Sequence, residues 1–464
     1  MVDASVGLRK LGSTAHMWTM SDSRADSPVS QLSVWLYTFG CKANQYDTEC
    51  IRQELESRGA RIVARVEAAD TAVLNTCTVT AAADSSARRL VRKLHRRHPD
   101  LRLVVVGCSS ALNAGDFRNM DGVAAVIGGH SPVEVSSAVV PELTLAESHE
   151  EAIGGTLLRS NRRGARGWLK IQDGCDRKCS FCATRLARGA SRSRATEELV
   201  AEARLQAGVH AELVLTGIHI GHYGHDLETP TTLATLCASI LDSVPGVRLR
   251  LGSIEATEID DSLVSLLETS GGALAPHLHI PLQSGSDEIL HRMRRWHTGE
   301  AYRRRVLEIA DRIEPLGLGA DVIAGFPGET QDDHGRTRQL IEDLPFSYLH
   351  VFPWSPREGT QAAELDGRVP RSLATGRARE LRELGMEKGM AYVASRVGGL
   401  ARVAVETGGF GLTGDYLRVK LCGEYSDAQS RTLVDVRLGS SADGRLRAGA
   451  TGRAALPVLA AGSV

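Results

Sequence analysis

The sequence predicts an α/β protein in three folded parts: a doubly wound parallel α/β domain (residues 33–145), a partial TIM-like barrel (160–395) and a small C-terminal β-barrel (396–460). Three features of the 464-residue chain carry that expectation. Apolar strand-like stretches alternate with helical ones early in the chain. A second, longer series of the same kind follows. Beyond residue 396 the pattern turns to short alternating strands between Gly-rich turns. A chain this long can build two or three separate cores.

The first series has strands at 34–38, 71–75 and 101–106, with helices at 45–58 and 81–98 between and after them. The third strand is nearly all apolar, as a strand covered on both faces must be. A linker with paired glycines, Gly154 and Gly155, runs over 141–167. The second series places strands at 168–172, 212–216, 247–251, 277–281, 319–323 and 348–352, with helices at 197–207, 301–313 and 371–395. Six such units make an open barrel whose site lies at the strands' C-terminal ends. The final part alternates at 401–405, 416–421 and 432–436, which suits a small antiparallel barrel of about 60 residues.

Lys plus Arg number 55 against 56 Asp plus Glu, so no global field draws the chain to a polyanion and any nucleic-acid contact must use local patches. Residues 1–32 are rich in Ser, Ala and Asp, without periodicity or the apolar core of a signal peptide. They are expected to form a disordered extension, with Met20 as the true start. No apolar run reaches the roughly 18 residues a membrane helix needs, the tail from Ala454 to Val464 included. The expectation is a cytosolic protein without membrane contact.

Nine cysteines in a large chain without an export signal point to metal or catalysis rather than disulfides. Cys175, Cys179 and Cys182 have the spacing Cys-x3-Cys-x2-Cys just after the first barrel strand. Thiolates suit iron–sulfur clusters, and three ligands on a four-iron cube leave one iron open. A structural zinc site is the alternative, but it needs a fourth ligand, and the next histidine is His210. Cys41, Cys77 and Cys108 share no local motif, yet each follows a strand of the first domain. In an open parallel sheet those ends form one edge, so the three thiols should converge there. The alternative is three buried packing cysteines. Cys50, Cys237 and Cys422 stand in no such relation and are expected to pack.

At these residues the chain resembles a known family. The Cys175–Cys182 loop is similar to that of radical S-adenosylmethionine (SAM) enzymes. Tyr37-Thr-Phe-Gly-Cys-Lys-Ala-Asn-Gln45, Asn75-Thr-Cys-Thr-Val-Thr80 and Val106-Gly-Cys108 resemble the N-terminal domain of methylthiotransferases. Ala187-Arg-Gly189, Leu215-Thr-Gly-Ile-His219, Pro281-Leu-Gln-Ser-Gly-Ser286 and Phe352-Pro-Trp-Ser-Pro356 fit the same family, and the C-terminal stretch is similar to a TRAM domain. The resemblance implies that Cys175, Cys179 and Cys182 hold a [4Fe-4S] cluster whose open iron chelates SAM and cleaves it to methionine and a 5′-deoxyadenosyl radical. It implies an auxiliary [4Fe-4S] cluster on Cys41, Cys77 and Cys108, involved with the sulfur, a second SAM that methylates it, and a reaction at C2 of adenine. That C–H bond has no acidity a side-chain base could use, so cofactors carry the chemistry. An electron donor such as flavodoxin or ferredoxin is implied as a partner. The sequence around Cys41 and Cys77 resembles the branch acting on N6-threonylcarbamoyladenosine in tRNA. Methylthiolation of N6-isopentenyladenosine is the alternative within the family, and a non-catalytic iron–sulfur RNA-binding or electron-transfer protein the alternative outside it. One departure stands out: Arg185 occupies a position where many members have Pro.

SAM contacts are expected from Gly217, Ile218, Glu255, Gln283, the turn that begins at Ile323, and Phe352. Gly325 to Gly328 could instead be turn chemistry, and Glu255 a helix-start carboxylate. His219, His222 and His225 read as ordinary loop histidines. Three basic runs are candidates for RNA: Arg88, Arg89, Arg92, Lys93, Arg96 and Arg97; Arg159, Arg162, Arg163 and Arg166; and Arg292, Arg294 and Arg295 with Arg303, Arg304 and Arg305. A charge run alone is usually a solvated face, but beside a TRAM-like barrel it is expected to meet phosphates, above all through Arg89, Arg92 and Arg96. The polar threonylcarbamoyl group further requires a cationic residue near its carboxylate, which the sequence does not identify.

Overall fold

Strand β1 (Ser33–Thr38) opens a five-stranded parallel sheet with β2 (Arg61–Ile62), β3 (Thr71–Thr76), β4 (Arg102–Gly107) and β5 (Val123–Val126), in the order β2-β1-β3-β4-β5. A computed structural model describes residues 31–140, 157–159, 164–425, 430–440 and 446–449. Residues 1–30 of the expected N-terminal extension, Met20 among them, and Gly154, Gly155, Arg162, Arg163 and the tail from Ala454 lie outside the described residues. All of β3 is buried, because helices cover both faces of the sheet. Helix α1 (Lys42–Ser57) lays Ile51 and Leu55 on Val34, Val73 and Val104. Helix α2 (Ala81–Arg97) lays Ala87, Val91 and Leu94 on Leu74, Leu103 and Val105 of the opposite face. The Thr80 hydroxyl caps α2 by accepting from the Ala83 N–H at 3.2 Å, a contact worth about 1 kcal/mol. The sheet is doubly wound, as expected.

The second part contains β6 (Arg166–Lys170), a short antiparallel pair β7 (Gln172–Asp173) and β8 (Arg192–Ser193), and then β9 (Glu212–Thr216), β10 (Arg248–Leu251), β11 (His277–His279), β12 (Gly317–Ala324) and β13 (Tyr348–Pro353). Strands β10-β9-β6 and β11-β12-β13 form two parallel sheets. Bridges Leu249↔Leu274 and Ser253↔His279 join them into one open barrel. Register separates its two faces. Leu213, Leu215, Leu249, Leu251, Leu278, Leu318, Ala320 and Val322 face outward into the main apolar core beneath the helices. The alternate positions face inward, where Arg166, Glu212 and Arg248 are neighbours across three strands, and Asp321 and His350 across two. This lumen is therefore lined by charge, unlike the apolar interior of a closed eight-stranded barrel.

Strands β14 (Leu400–Glu406), β15 (Phe410–Thr413), β16 (Arg418–Leu421), β17 (Leu433–Ser440) and β18 (Leu446–Gly449) close a barrel in the order β14-β15-β16-β18-β17. The expectation of a wholly antiparallel barrel needs correction, since β16 and β18 pair in parallel. Five strands in a closed ring cannot all alternate in direction, so one parallel pair is unavoidable. Arg248 and Arg250 bolt this barrel to the preceding one. They donate to the carbonyls of Arg402, Leu412, Thr413 and Gly414 at 2.7–2.9 Å while sharing the Glu212 carboxylate. Cys50 and Cys237 are buried as expected, whereas Cys422 is partly exposed beyond the end of β16. Among the described residues, no helix is long and apolar enough to cross a membrane.

Candidate functional site

Cys41 caps the N-terminus of α1, Cys77 follows β3 directly, and Cys108 opens helix α3 (Cys108–Leu112) right after β4. Cys41 lies close enough to Cys77 and Cys108 to raise both thiols, and Cys77 close enough to raise Cys108. Gly40 makes the approach possible: it has φ +90°, and a β-carbon there would collide with the Cys77 sulfur. The Cys77 sulfur accepts the Val79 N–H at 3.4 Å. The second trio lies on the loop after β7. Gly174, at φ +71°, turns the chain where any side chain would strike the Ala190 carbonyl oxygen. The Cys182 sulfur accepts the backbone N–H groups of Thr184 and Arg185, so Arg185 supplies a donor that a proline could not.

A single zinc ion holds its thiolates within about 4 Å of one another. Among the described residues, the one set of three ligand atoms within 4.8 Å of each other is His279, Asp321 and His350; neither cysteine trio is that tight. Three thiolates spread more widely suit the corners of a cluster, not one ion. Burial pushes Cys77 and Cys179 up to about 11 and Cys108 up to about 12, the last against the pull of Arg188. Such thiols need a metal or a cation to be thiolates at neutral pH.

Arg188 ties the two trios together. It ends the helix Thr184–Arg188 that follows Cys182, and its Nε lies 3.3 Å from the Cys108 sulfur. Its remaining nitrogens donate to Asp173 at 2.8 and 3.0 Å, to Asn44 at 2.6 Å and to Asp47 at 2.7 Å. Lys170 completes the network by donating to Asp47 at 2.5 Å and Asp173 at 3.1 Å. Two cations and two carboxylates are thus buried in balance, Asp47 from α1 and the other three from the barrel part. Burial alone would push Asp47 up, but Lys170 and Arg188 hold its carboxyl below the usual range. Arg357 clasps the same two parts farther out, donating to the Thr78 carbonyl at 2.7 Å and to Asp84. Beside it lies a cleft of about 200 Å³ lined by Thr78, Ala81, Arg88, Ala183, Pro356 and Glu358. Thr78 and Ala183 directly follow Cys77 and Cys182, so the cleft borders both trios.

The other expected contacts divide. Glu255 pairs with buried Arg295, whose Nη1 reaches the Cys179 sulfur at 3.7 Å. Ile218 donates its N–H to the Gln172 side chain at 3.1 Å, and a β-carbon on Gly217 would crowd the Gln172 carbonyl at 2.8 Å. Those two residues are held against the loop that leads to Cys175. Gln283 stands at φ 66°, locked by backbone bonds to Asp321 and Ile323, while Ile323 packs in an apolar cluster with Phe181 and Phe326. Phe352 is 38% exposed and offers a ring face.

His219 is no ordinary loop histidine. It is buried, bonds Glu258 at 2.8 Å and contacts Cys175; burial opposes its charge, but those two partners raise it to about 9. His222 and His225 stack on from it at ring separations of 5.3 and 4.3 Å. The basic runs also separate. Arg89, Arg92, Lys93, Arg96 and Arg97 are exposed on α2. In the third run, Arg292 donates to the Pro327 carbonyl, buried Arg295 takes Glu255, Arg303 and Arg305 form surface pairs with Asp343 and Asp261, and Arg294 and Arg304 are exposed. In the second, Arg159 is exposed and Arg166 pairs with Glu406 at 3.2 Å.

The floor of the lumen comes from the third domain. Tyr416, held at φ 71°, stacks on His277 at 4.3 Å and takes the Arg250 guanidinium at 5.2 Å. Lys42 reaches the same ring at 6.0 Å; burial beside Arg250 and Arg166 lowers it to about 8. From there a polar ladder climbs the wall. Tyr348 bonds His277 at 2.9 Å and His279 at 3.0 Å, and Asp321 meets His279 at 3.2 Å and His350 at 3.3 Å.

Residues 33–129 match the family described as uncharacterized protein family UPF0004, and residues 169–341 the radical SAM superfamily. The chain is 35% identical over 395 residues to the threonylcarbamoyladenosine tRNA methylthiotransferase MtaB of Rickettsia prowazekii, covering 83% of this chain and 90% of that one. It is 36% identical over 364 residues to the enzyme of the same name from Bacillus subtilis, covering 75% and 79%. Among solved structures, the radical SAM methyltransferase TsrM of Kitasatospora setae, with cobalamin and a [4Fe-4S] cluster bound, shares the fold at a TM-score of 0.52 and 15% identity, over 72% of this chain and 77% of that one.

Asp47→Asn leaves Lys170 and Arg188 one carboxylate between them, and should cost about 3–5 kcal/mol in urea unfolding at neutral pH. Because the folded carboxyl is held low, its stabilisation is present above the ordinary value near 4 and is lost as pH falls through the folded one. The gap between wild type and variant should therefore narrow below about pH 4. A gap that stays constant down to about pH 3 would mean that the ionised carboxylate is not the source.

Proposed function

From the premise that the chain belongs to the radical SAM threonylcarbamoyladenosine tRNA methylthiotransferase family, we propose that it converts N6-threonylcarbamoyladenosine next to the anticodon of tRNA to its 2-methylthio derivative. The observation that carries the reading is the pair of cysteine trios on two separately wound parts of the chain, joined through Arg188, which ends the helix after Cys182 and reaches the Cys108 sulfur. Cys175, Cys179 and Cys182 would hold the [4Fe-4S] cluster that binds SAM, and Cys41, Cys77 and Cys108 the auxiliary [4Fe-4S] cluster. When bound, these groups supply the radical, sulfur and methyl chemistry that no side chain can.

The chain's own residues position and neutralise. Arg188 and Arg295 place guanidinium charge at Cys108 and Cys179, where it offsets thiolate charge. The N–H groups of Val79, Thr184 and Arg185 donate to cysteine sulfurs and tune them. Glu255, bound to Arg295, is the carboxylate best placed toward the SAM ammonium group, while Gln172 holds the Gly217–Ile218 turn in place. Phe352 gives a face on which a looped-out base can stack. The ladder from Tyr348 to His350 meets a polar N6 substituent with hydrogen-bonding groups that a hydrocarbon would leave unpaired. Outside the lumen, Arg89, Arg92 and Arg96 give α2 a basic face beside the cleft, and the C-terminal barrel is a second RNA surface of the TRAM kind. tRNA is the macromolecular partner, a flavodoxin or ferredoxin the electron donor, and the cytoplasm the setting.

Two experiments test this reading. Anaerobically reconstituted protein should hold about eight iron atoms. Replacing either trio by alanine should leave about half; loss of Cys175, Cys179 and Cys182 should abolish 5′-deoxyadenosine release, whereas loss of the other trio should spare that release and stop product formation. Iron content unchanged in the second triple variant would sink the auxiliary site. In a competition between tRNAs carrying threonylcarbamoyladenosine and isopentenyladenosine, methylthiolated product should come mainly from the first; the reverse would overturn the substrate.

A further inference from the structure

Buried charge is balanced around Arg188 but not at the lumen floor. Four cations meet there: Lys42, Arg166, Arg248 and Arg250. Their carboxylates are Glu406, 3.2 Å from Arg166, and Glu212, which Arg248 and Arg250 share at 2.6 and 2.9 Å. The two arginines at Glu212 also spend their remaining donors on carbonyls of the C-terminal barrel, so they are committed to the fold. Lys42 is different. Among the described residues, no carboxylate pairs with it: the Tyr416 ring and further cations surround it, the nearby Glu212 is taken by the two arginines, and the Cys41 thiol precedes it. The residue is partly accessible. A buried cation in surplus is costly unless an anion arrives to meet it.

Resting on the substrate reading above, we propose that Lys42 is the residue that recognises the N6 substituent, its ammonium receiving the threonylcarbamoyl carboxylate. Position favours it over the other three cations. Lys42 directly follows Cys41, so whatever it grips is held beside the auxiliary trio. In adenine, N1 lies between C6 and C2, so an N6 substituent turned toward N1 reaches the same ring edge as the reacting C2. A grip on the carboxylate from the residue after Cys41 would therefore set that edge toward the trio. The Tyr416 ring beneath the ammonium limits how far it can swing. The same surplus charge would disfavour a hydrocarbon substituent, which desolvates the ammonium without pairing it.

The test uses reconstituted holoprotein and two anticodon stem-loop RNAs, identical except for threonylcarbamoyladenosine or plain adenosine at the target position, with affinity read by fluorescence anisotropy. Wild type should prefer the modified RNA by about tenfold or more, the worth of one charge-assisted contact. Lys42→Met and Lys42→Gln should bring that preference close to one while binding plain RNA as wild type does. Lys42→Arg should keep most of it. Iron content, measured alongside, checks that Cys41 still holds its place, and Lys42→Gln serves if the methionine variant loses iron. If wild type shows the preference and the iron-replete variants retain it, the Lys42 assignment alone is overturned. If wild type itself shows none, the substrate reading falls and Lys42 with it.

Discussion

Two domains that fold on separate apolar cores must present one site, and the buried Arg188 guanidinium is the interaction on which that depends. It lies six residues past Cys182 in the chain, yet reaches Cys108 and Asn44 on the other domain. Desolvating it is tolerable only because Asp47 and Asp173 sit on either side, and they in turn are neutralised by Lys170. Remove one partner and the remaining charges are buried unpaired. The network therefore fixes the angle between the parallel sheet and the barrel more sharply than apolar contact, which slides, could do.

The barrel then departs from the usual logic of its kind. Its outward leucines build the core, while its inward positions carry Glu212, Arg248, Arg250, His277, His279 and Asp321. A closed eight-stranded barrel fills its middle with branched apolar side chains; this open one keeps a polar space and stoppers its lower end with Tyr416 from the third domain. All three domains thus meet at this floor: Lys42 from the first, Arg250 and His277 from the second, Tyr416 from the third. Balanced charge locks the joint, and surplus positive charge is left at the floor.

Much of this was legible in the sequence, and the parts that were not share a cause. Strand periodicity located β9 with its observed bounds and the other barrel strands within a few residues, because alternation on a two-faced sheet is a local signal. Convergence of Cys41, Cys77 and Cys108 followed from topology, since parallel strands end on one edge. Helix α1 begins three residues earlier than expected because Cys41 caps it in extended geometry without a side-chain hydrogen bond, so no Ser, Thr, Asp or Asn marks its start. The short strands β2, β5, β15 and β18 have too few residues to declare a period. Roles set by distant partners were invisible: Arg188 meets Asn44 and Asp47 across more than 140 residues of chain, and His219 meets Glu258 across 39. Arg292, Arg295, Arg303 and Arg305 looked like a nucleic-acid face because composition cannot tell an exposed arginine from one already paired.

The most direct measurement of the central claim is the nucleoside composition of tRNA from cells with and without this gene, read by mass spectrometry. Deleting the gene should remove the 2-methylthio derivative of N6-threonylcarbamoyladenosine, let its unmethylthiolated precursor accumulate in equal amount, and leave isopentenyladenosine products unchanged. A deletion strain that retains the 2-methylthio threonylcarbamoyl nucleoside at its normal level, or loses the isopentenyl one instead, would contradict that claim.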